Sequence, residues 1–114
     1  MAQLPDQALE QVAQYFQTLA EPTRLKILNE LRSGERNVGE LAQICACTLA
    51  NVSKHLSVLA KHGLVMRESR GTSVYYRIND PSVYALCDLV CGNILRQIEQ
   101  QTQFADLIRQ AGAR

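Results

Sequence analysis

Apolar residues in this chain recur at two different periods, and the order of those periods restricts the fold more than any other feature. Up to His62 they return every three or four positions, from Val65 to Ile78 the period drops to two, and from Val83 onward it is three to four again. The longer period marks one face of a helix and the shorter one face of a strand. A chain that reads helices, then one hairpin, then a helix has few architectures open to it. With 114 residues and 46% hydrophobic content, it is expected to form one domain over 1–114.

The individual elements have local start and stop signals. Residues 7–19 carry Leu9, Val12, Ala13, Phe16 and Leu19 on one helical face, and Glu21-Pro22-Thr23 ends that segment. Pro22 fits the first turn of a second helix, whose Leu25, Ile27, Leu28 and Leu31 run to Ser33-Gly34. Asn37 and Glu40 have capping-box spacing and open a third, short helix that ends near Cys45–Cys47. Thr48 caps a fourth from Leu49 to about His62, closed by Gly63. Val65–Arg70 and Ser73–Ile78 flank Gly71-Thr72, a two-residue link suited to a type II′ hairpin. Asn79-Asp80-Pro81 is expected to cap the last helix, which spans about 81–101 with a continuation toward Phe104 and Ile108. The expected fold class is mainly α with a small β-hairpin: a winged helix-turn-helix, with the helix-turn-helix at about 37–62 and the wing at about 65–78.

Composition narrows the function. Six aromatic residues and no Trp make a large aromatic-lined substrate cavity hard to build. No apolar run approaches the roughly 20 residues needed to cross a bilayer, and the first residues lack a secretory pattern, so a cytoplasmic location is expected. The net charge of +1 conceals a partition. Residues 41–79 hold Lys54, Lys61, Arg67, Arg70 and Arg77 against Glu68 alone, a net +4, while the remainder is −3. A local basic excess beside acidic flanks is the footprint of a polyanion partner.

The fourth helix sharpens that reading. On a wheel of 100° per residue, Leu49, Val52, Leu56 and Leu59 share an arc of about 80° directed inward. Ala50, Asn51, Lys54, Ser57 and Lys61 lie opposite, with Ser53 and His55 on the shoulders and Thr48 at the start. Small, polar and cationic side chains are what a helix in a major groove about 12 Å wide requires: Asn for adenine edges, Lys or His for guanine or phosphate. An ordinary solvated face mixes Glu with Lys, whereas residues 41–67 contain no acid. Arg67, Arg70, Thr72 and Arg77 would let the hairpin follow phosphates or enter a minor groove. Double-stranded DNA is the expected partner.

The run TLAEPTRLKILNELRSGERNVGELAQ, followed by NVSKHLSVLAKHGLVMRESRGTSVYYRI, resembles the ArsR/SmtB family of bacterial winged-helix repressors. The likeness is carried by Leu19-x-x-Pro22-x-Arg24-x-x-Ile27-Leu28, by Val52-Ser53-x-His55-Leu56 and by Tyr75-Tyr76 in the second wing strand, and it covers about residues 16–79. It implies a homodimer built on the first and last helices that represses an operon and leaves DNA when an inducer binds. The residues themselves also favour a dimer, because the apolar stripes of the terminal helices exceed what the small central elements can cover. Two copies would bury them and present two recognition helices to an inverted-repeat operator.

Cys45, Cys47, Cys87 and Cys91 form two close pairs and are expected to be thiols in a reducing compartment. Cys87 and Cys91 share a helix face four residues apart, where packing and ion binding are comparable readings. Cys45 and Cys47 precede the fourth helix, whose positive end should lower thiol pKa values. As(III), Sb(III), Cd(II) or Zn(II) would accept three or four thiolates, and modification by sulfane sulfur or an oxidant is the rival. In the family's arsenic and cadmium sensors the Cys-x-Cys lies inside the helix before the recognition helix, whereas here it lies at the turn. An enzyme is disfavoured: neither pair is Cys-x-x-Cys, and no βαβ pattern surrounds them. A protein-interaction winged helix is the other rival.

Overall fold

The computed structural model describes residues 3–112. Its elements are α1 (Asp6–Leu19), α2 (Pro22–Leu31), β1 (Arg36–Asn37), α3 (Val38–Ile44), α4 (Leu49–Lys61), β2 (Val65–Arg70), β3 (Ser73–Ile78) and α5 (Ser82–Gln110). The chain forms two compact units, Met1–Asp80 and Pro81–Arg114. The mainly helical winged helix-turn-helix expected from the two periods is the observed architecture.

In the first unit, α4 packs against α2, α3 and β2, and α2 and α3 also touch β3. The side chains Ile27, Leu31, Leu41, Val52, Leu56 and Leu59 are buried to 2% exposure or less and form the centre of the core. The capping signals act as the sequence suggests. Asn37 accepts from the Glu40 N–H and the Glu40 carboxylate accepts from the Asn37 N–H, a full capping box. The Thr48 hydroxyl accepts from the Asn51 N–H, and Gly63 turns the chain at φ 77°.

The hairpin register pairs Arg70 with Ser73 and Val65 with Ile78, so Gly71-Thr72 is a two-residue loop. Gly71 has φ 60° while Thr72 is not in the left-handed region, which excludes type I′ and agrees with the expected type II′ link. The wing is larger than the sequence suggested. Arg36–Asn37 adds a third strand, giving the antiparallel order β1-β3-β2, with Arg36 opposite Tyr76 and Asn37 opposite Tyr75. Two residues are too few to display a period, and Asn37 serves both as strand end and as helix cap.

The start of α5 differs from expectation. Asn79 does not cap it: its side-chain amide donates to the Gly63 carbonyl and its backbone N–H to the Leu64 carbonyl, so Asn79 closes the end of the hairpin instead. The helix starts at Ser82 behind Pro81 and runs 29 residues to Gln110, so the continuation through Phe104 and Ile108 is the alternative observed. At 1.5 Å per residue it is about 44 Å long. Leu89, Val90, Ile94, Leu95, Ile98, Phe104, Leu107 and Ile108 are exposed along it, as are Leu9, Val12 and Phe16 on α1. No helix among the described residues is long and apolar enough to cross a membrane.

Candidate nucleic-acid interface

The helix α4 turns its apolar arc inward and leaves a polar surface outside. Val52, Leu56 and Leu59 have no exposure, whereas Thr48, Ala50, Asn51, Ser53, Lys54, Ser57 and Lys61 are exposed. Leu49 departs from the wheel: it is 59% exposed rather than core. It is the first helical residue, and Cα–Cβ bonds in a helix tilt toward the N-terminus, so its side chain projects past the helix end instead of onto the core. An apolar side chain therefore stands beside Ala50 at the outer end of the helix.

His55, placed by the wheel on a shoulder, is the most enclosed of the polar residues on α4. Its side chain retains 13% exposure, with Nδ1 3.7 Å from Glu21 Oε2 and 3.4 Å from Arg24 Nη1. Arg24 is the centre of this contact and escaped the sequence reading as a functional residue. Its Nε donates to the Thr18 carbonyl at 2.6 Å and its Nη2 to the Gln17 carbonyl at 3.2 Å, satisfying two of the last acceptors of α1. The backbone N–H of Arg24 donates to Glu21 Oε2, and this bond, more than the nearby charges, holds the Glu21 carboxyl below its usual range. One guanidinium thus ties the α1–α2 corner to the flank of α4. The position of Arg24 in the Leu-x-x-Pro-x-Arg run was the available signal.

On the wing, the pleat sets Met66, Glu68, Arg70, Ser73, Tyr75 and Arg77 on one face. Arg67 and Thr72 are exposed, on the opposite face and in the turn. Arg70 is engaged three ways: with Glu35 (Nη1–Oε1 2.6 Å, Nη2–Oε2 2.9 Å), with Glu68 (2.7 Å) and over the Tyr75 ring at 4.7 Å. Arg77 lies 3.4 Å from Glu68 and donates to Met66 Sδ. Counting charge by segment missed Glu35, which lies outside residues 41–79 but is delivered to the wing by the turn before β1. The Arg70 guanidinium depresses the Glu35 carboxyl pKa, mainly by hydrogen bonding.

The cysteines occupy two settings. Cys45 is the buried C-cap residue of α3, and burial first, then the adjacent Cys47 sulfur, pushes its thiol pKa up. The lowering expected from the α4 N-terminus is overturned for Cys45, because desolvation of a thiolate outweighs a helix end that lies beyond the turn. Cys47 is half-buried and donates from Sγ to the Cys45 carbonyl; between them Ala46 takes φ 53°, uncommon for a residue with a Cβ. In the second unit Cys87 is half-buried and Cys91 exposed, one helical turn apart. Among the described residues no three His, Cys, Asp or Glu side chains form a metal-binding group.

A family model described as a helix-turn-helix domain matches residues 19–68. The HTH-type transcriptional regulator NmtR of Mycobacterium tuberculosis is 41% identical over 87 residues, covering 76% of this chain and 72% of that protein. The arsenical resistance operon repressor of Bacillus subtilis is 34% identical over 87 residues, covering 75% and 83%. Among solved structures, the chain resembles the homodimeric winged helix-turn-helix DNA-binding domain of Mb0332 from Mycobacterium bovis, described as a possible ArsR-family transcriptional regulator. The TM-score is 0.70 at 37% identity, with 82% of this chain and 90% of that one covered.

Proposed function

This chain belongs to the ArsR/SmtB family of winged helix-turn-helix transcriptional regulators, and from that membership we propose a homodimeric repressor that leaves an inverted-repeat operator when its cysteines react with an inducer. It is a DNA-binding regulator and not an enzyme. The observation that carries the proposed mode of binding is the outer surface of α4. Thr48, Ala50, Asn51, Ser53, Lys54, Ser57 and Lys61 are exposed together in a stretch with no acid, over a fully buried Val52, Leu56 and Leu59. Asn51 would address adenine edges, and Lys54 guanine or phosphate. His55 serves from behind, through Arg24, by fixing the helix. Arg67, Thr72 and Arg77 of the wing would add phosphate contacts, which hold register without reading sequence.

The dimer is supported by the exposed apolar residues of α1 and α5, which a second copy would cover, and by the homodimeric M. bovis neighbour. A twofold dimer places two α4 helices about 34–36 Å apart, one turn of DNA. In a gel-shift series, duplexes with two such half-sites are expected to bind the protein far more tightly than duplexes with one. Equal affinity for a single half-site, with a protein that runs as a monomer, would contradict the dimeric reading.

The inducer reading rests on thiol chemistry. Soft ions prefer thiolates, and the B. subtilis relative is named for arsenical resistance. Cys45/Cys47 and Cys87/Cys91 each offer two sulfurs, so beyond either pair a three-coordinate ion such as As(III) or Sb(III) needs one further ligand and a four-coordinate Cd(II) or Zn(II) needs two. Any bond made at 45–47 acts on the residue next to the Thr48 cap and hence on the first turn of α4. Sulfane sulfur or an oxidant joining two thiols would act at the same place. Thiol titration and intact mass after As(III), Zn(II) or polysulfide, each followed by a DNA-release assay, separate the readings. As(III) is expected to protect thiols and release DNA. Release with a mass gain of added sulfur, and no protection by any ion, would favour sulfur sensing; unreactive thiols under every treatment would remove the sensor role.

A further inference from the structure

We propose that Glu35 sets the DNA affinity of this protein by occupying on Arg70 the position that a DNA phosphate takes in the complex. The inference rests on the DNA-binding reading and adds a residue to it that no basic-patch argument would select. A guanidinium presents a planar fork that matches two oxygens of a carboxylate or of a phosphate in the same way. Here both Glu35 oxygens fill that fork, at 2.6 and 2.9 Å, while Glu68 takes a further Nη2 contact at 2.7 Å. Arg70 is the last residue before the Gly71-Thr72 turn, at the outer end of the wing, where a phosphate contact is most accessible.

The exchange of partners costs little. The Arg70 and Glu35 side chains keep 43% and 38% exposure, and ion pairs this open contribute little to stability. Glu35 released from Arg70 enters solvent, so no buried charge is stranded. Glu68 keeps Arg77 at 3.4 Å. Tyr75 continues to support the Arg70 guanidinium from its face, which leaves the edge free to exchange one oxyanion for another. Because phosphate contacts carry no sequence information, Glu35 lowers affinity for every duplex alike.

The test is a salt titration of DNA binding by the full chain and by Glu35→Gln, Glu35→Ala, Arg70→Ala and the Glu35→Gln/Arg70→Ala double variant, on inverted-repeat and scrambled duplexes. Both Glu35 variants are expected to bind either duplex more tightly, on the order of fivefold, since one weak surface pair per protomer no longer competes. Arg70 meets phosphate in the complex whether or not Glu35 is present, so the Glu35 variants should change the slope of log affinity against log salt little, while Arg70→Ala should flatten it by about 0.9 for each arginine lost. In the Arg70→Ala background Glu35→Gln should no longer raise affinity. If Glu35 is instead a strut that holds the wing in place, Glu35→Gln and Glu35→Ala will weaken binding, and that result, no change in affinity, or the same gain in the Arg70→Ala background overturns the proposal. Absence of any salt-sensitive complex with the unsubstituted protein would be a different failure, that of the DNA-binding reading itself.

Discussion

Leu56→Ala is expected to destabilise the protein by about 2–5 kcal/mol, the range for removing a fully enclosed leucine and leaving a cavity. Leu56 has no exposed surface and sits midway along α4, on the side that meets α2, α3 and β2. The loss falls on the element that carries Asn51 and Lys54, so the helix proposed to address DNA is itself anchored in the core. Its neighbour His55 contacts Arg24, which gives α4 a polar attachment as well as an apolar one. Urea denaturation at one fixed protein concentration measures the effect, with concentration held constant because a dimer's stability depends on it. A loss below about 1 kcal/mol would mean that α4 is not anchored through this side chain. Substitutions such as Ser57→Ala on the opposite, exposed face should stay within about 0.5 kcal/mol.

Much of the fold was legible because its signals are local. The Asn37–Glu40 box, the Thr48 cap and the Gly63 terminus each involve residues within a few positions, and the Gly71-Thr72 link sets the hairpin register by its length. What escaped the sequence depends on contacts between distant residues or on helix ends. β1 exists only because β3 offers it an edge. Leu49 obeys the apolar period but lies at the end of a helix, where the wheel no longer describes what a side chain faces.

The candidate site divides in the same way. The exposed face of α4 followed from periodicity, but the fates of individual cations did not. Arg70 meets Glu35 across 35 positions, and His55 meets Arg24 across 31, so neither pairing has a sequence signature. Cys45 shows the corresponding limit for thiols: proximity to a helix N-terminus was readable, whereas its burial as the α3 cap, which raises the pKa, was not.

In the proposed complex α4 lies against DNA with Lys54 toward the duplex. Six to ten phosphate contacts per dimer correspond to a loss of about 10³–10⁵ in affinity between 50 and 200 mM salt. Lys54, Lys61, Arg67 and Arg77 in two protomers supply that number of cations. The most direct measurement is therefore one salt titration on an inverted-repeat duplex, run in parallel for the unsubstituted protein and for Lys54→Ala. The protein should show the steep loss, and Lys54→Ala should bind at least about tenfold more weakly, as expected for removing a base or phosphate contact of about 1–3 kcal/mol from each protomer. An unchanged affinity and an unchanged salt slope in Lys54→Ala would contradict the placement of α4 against DNA.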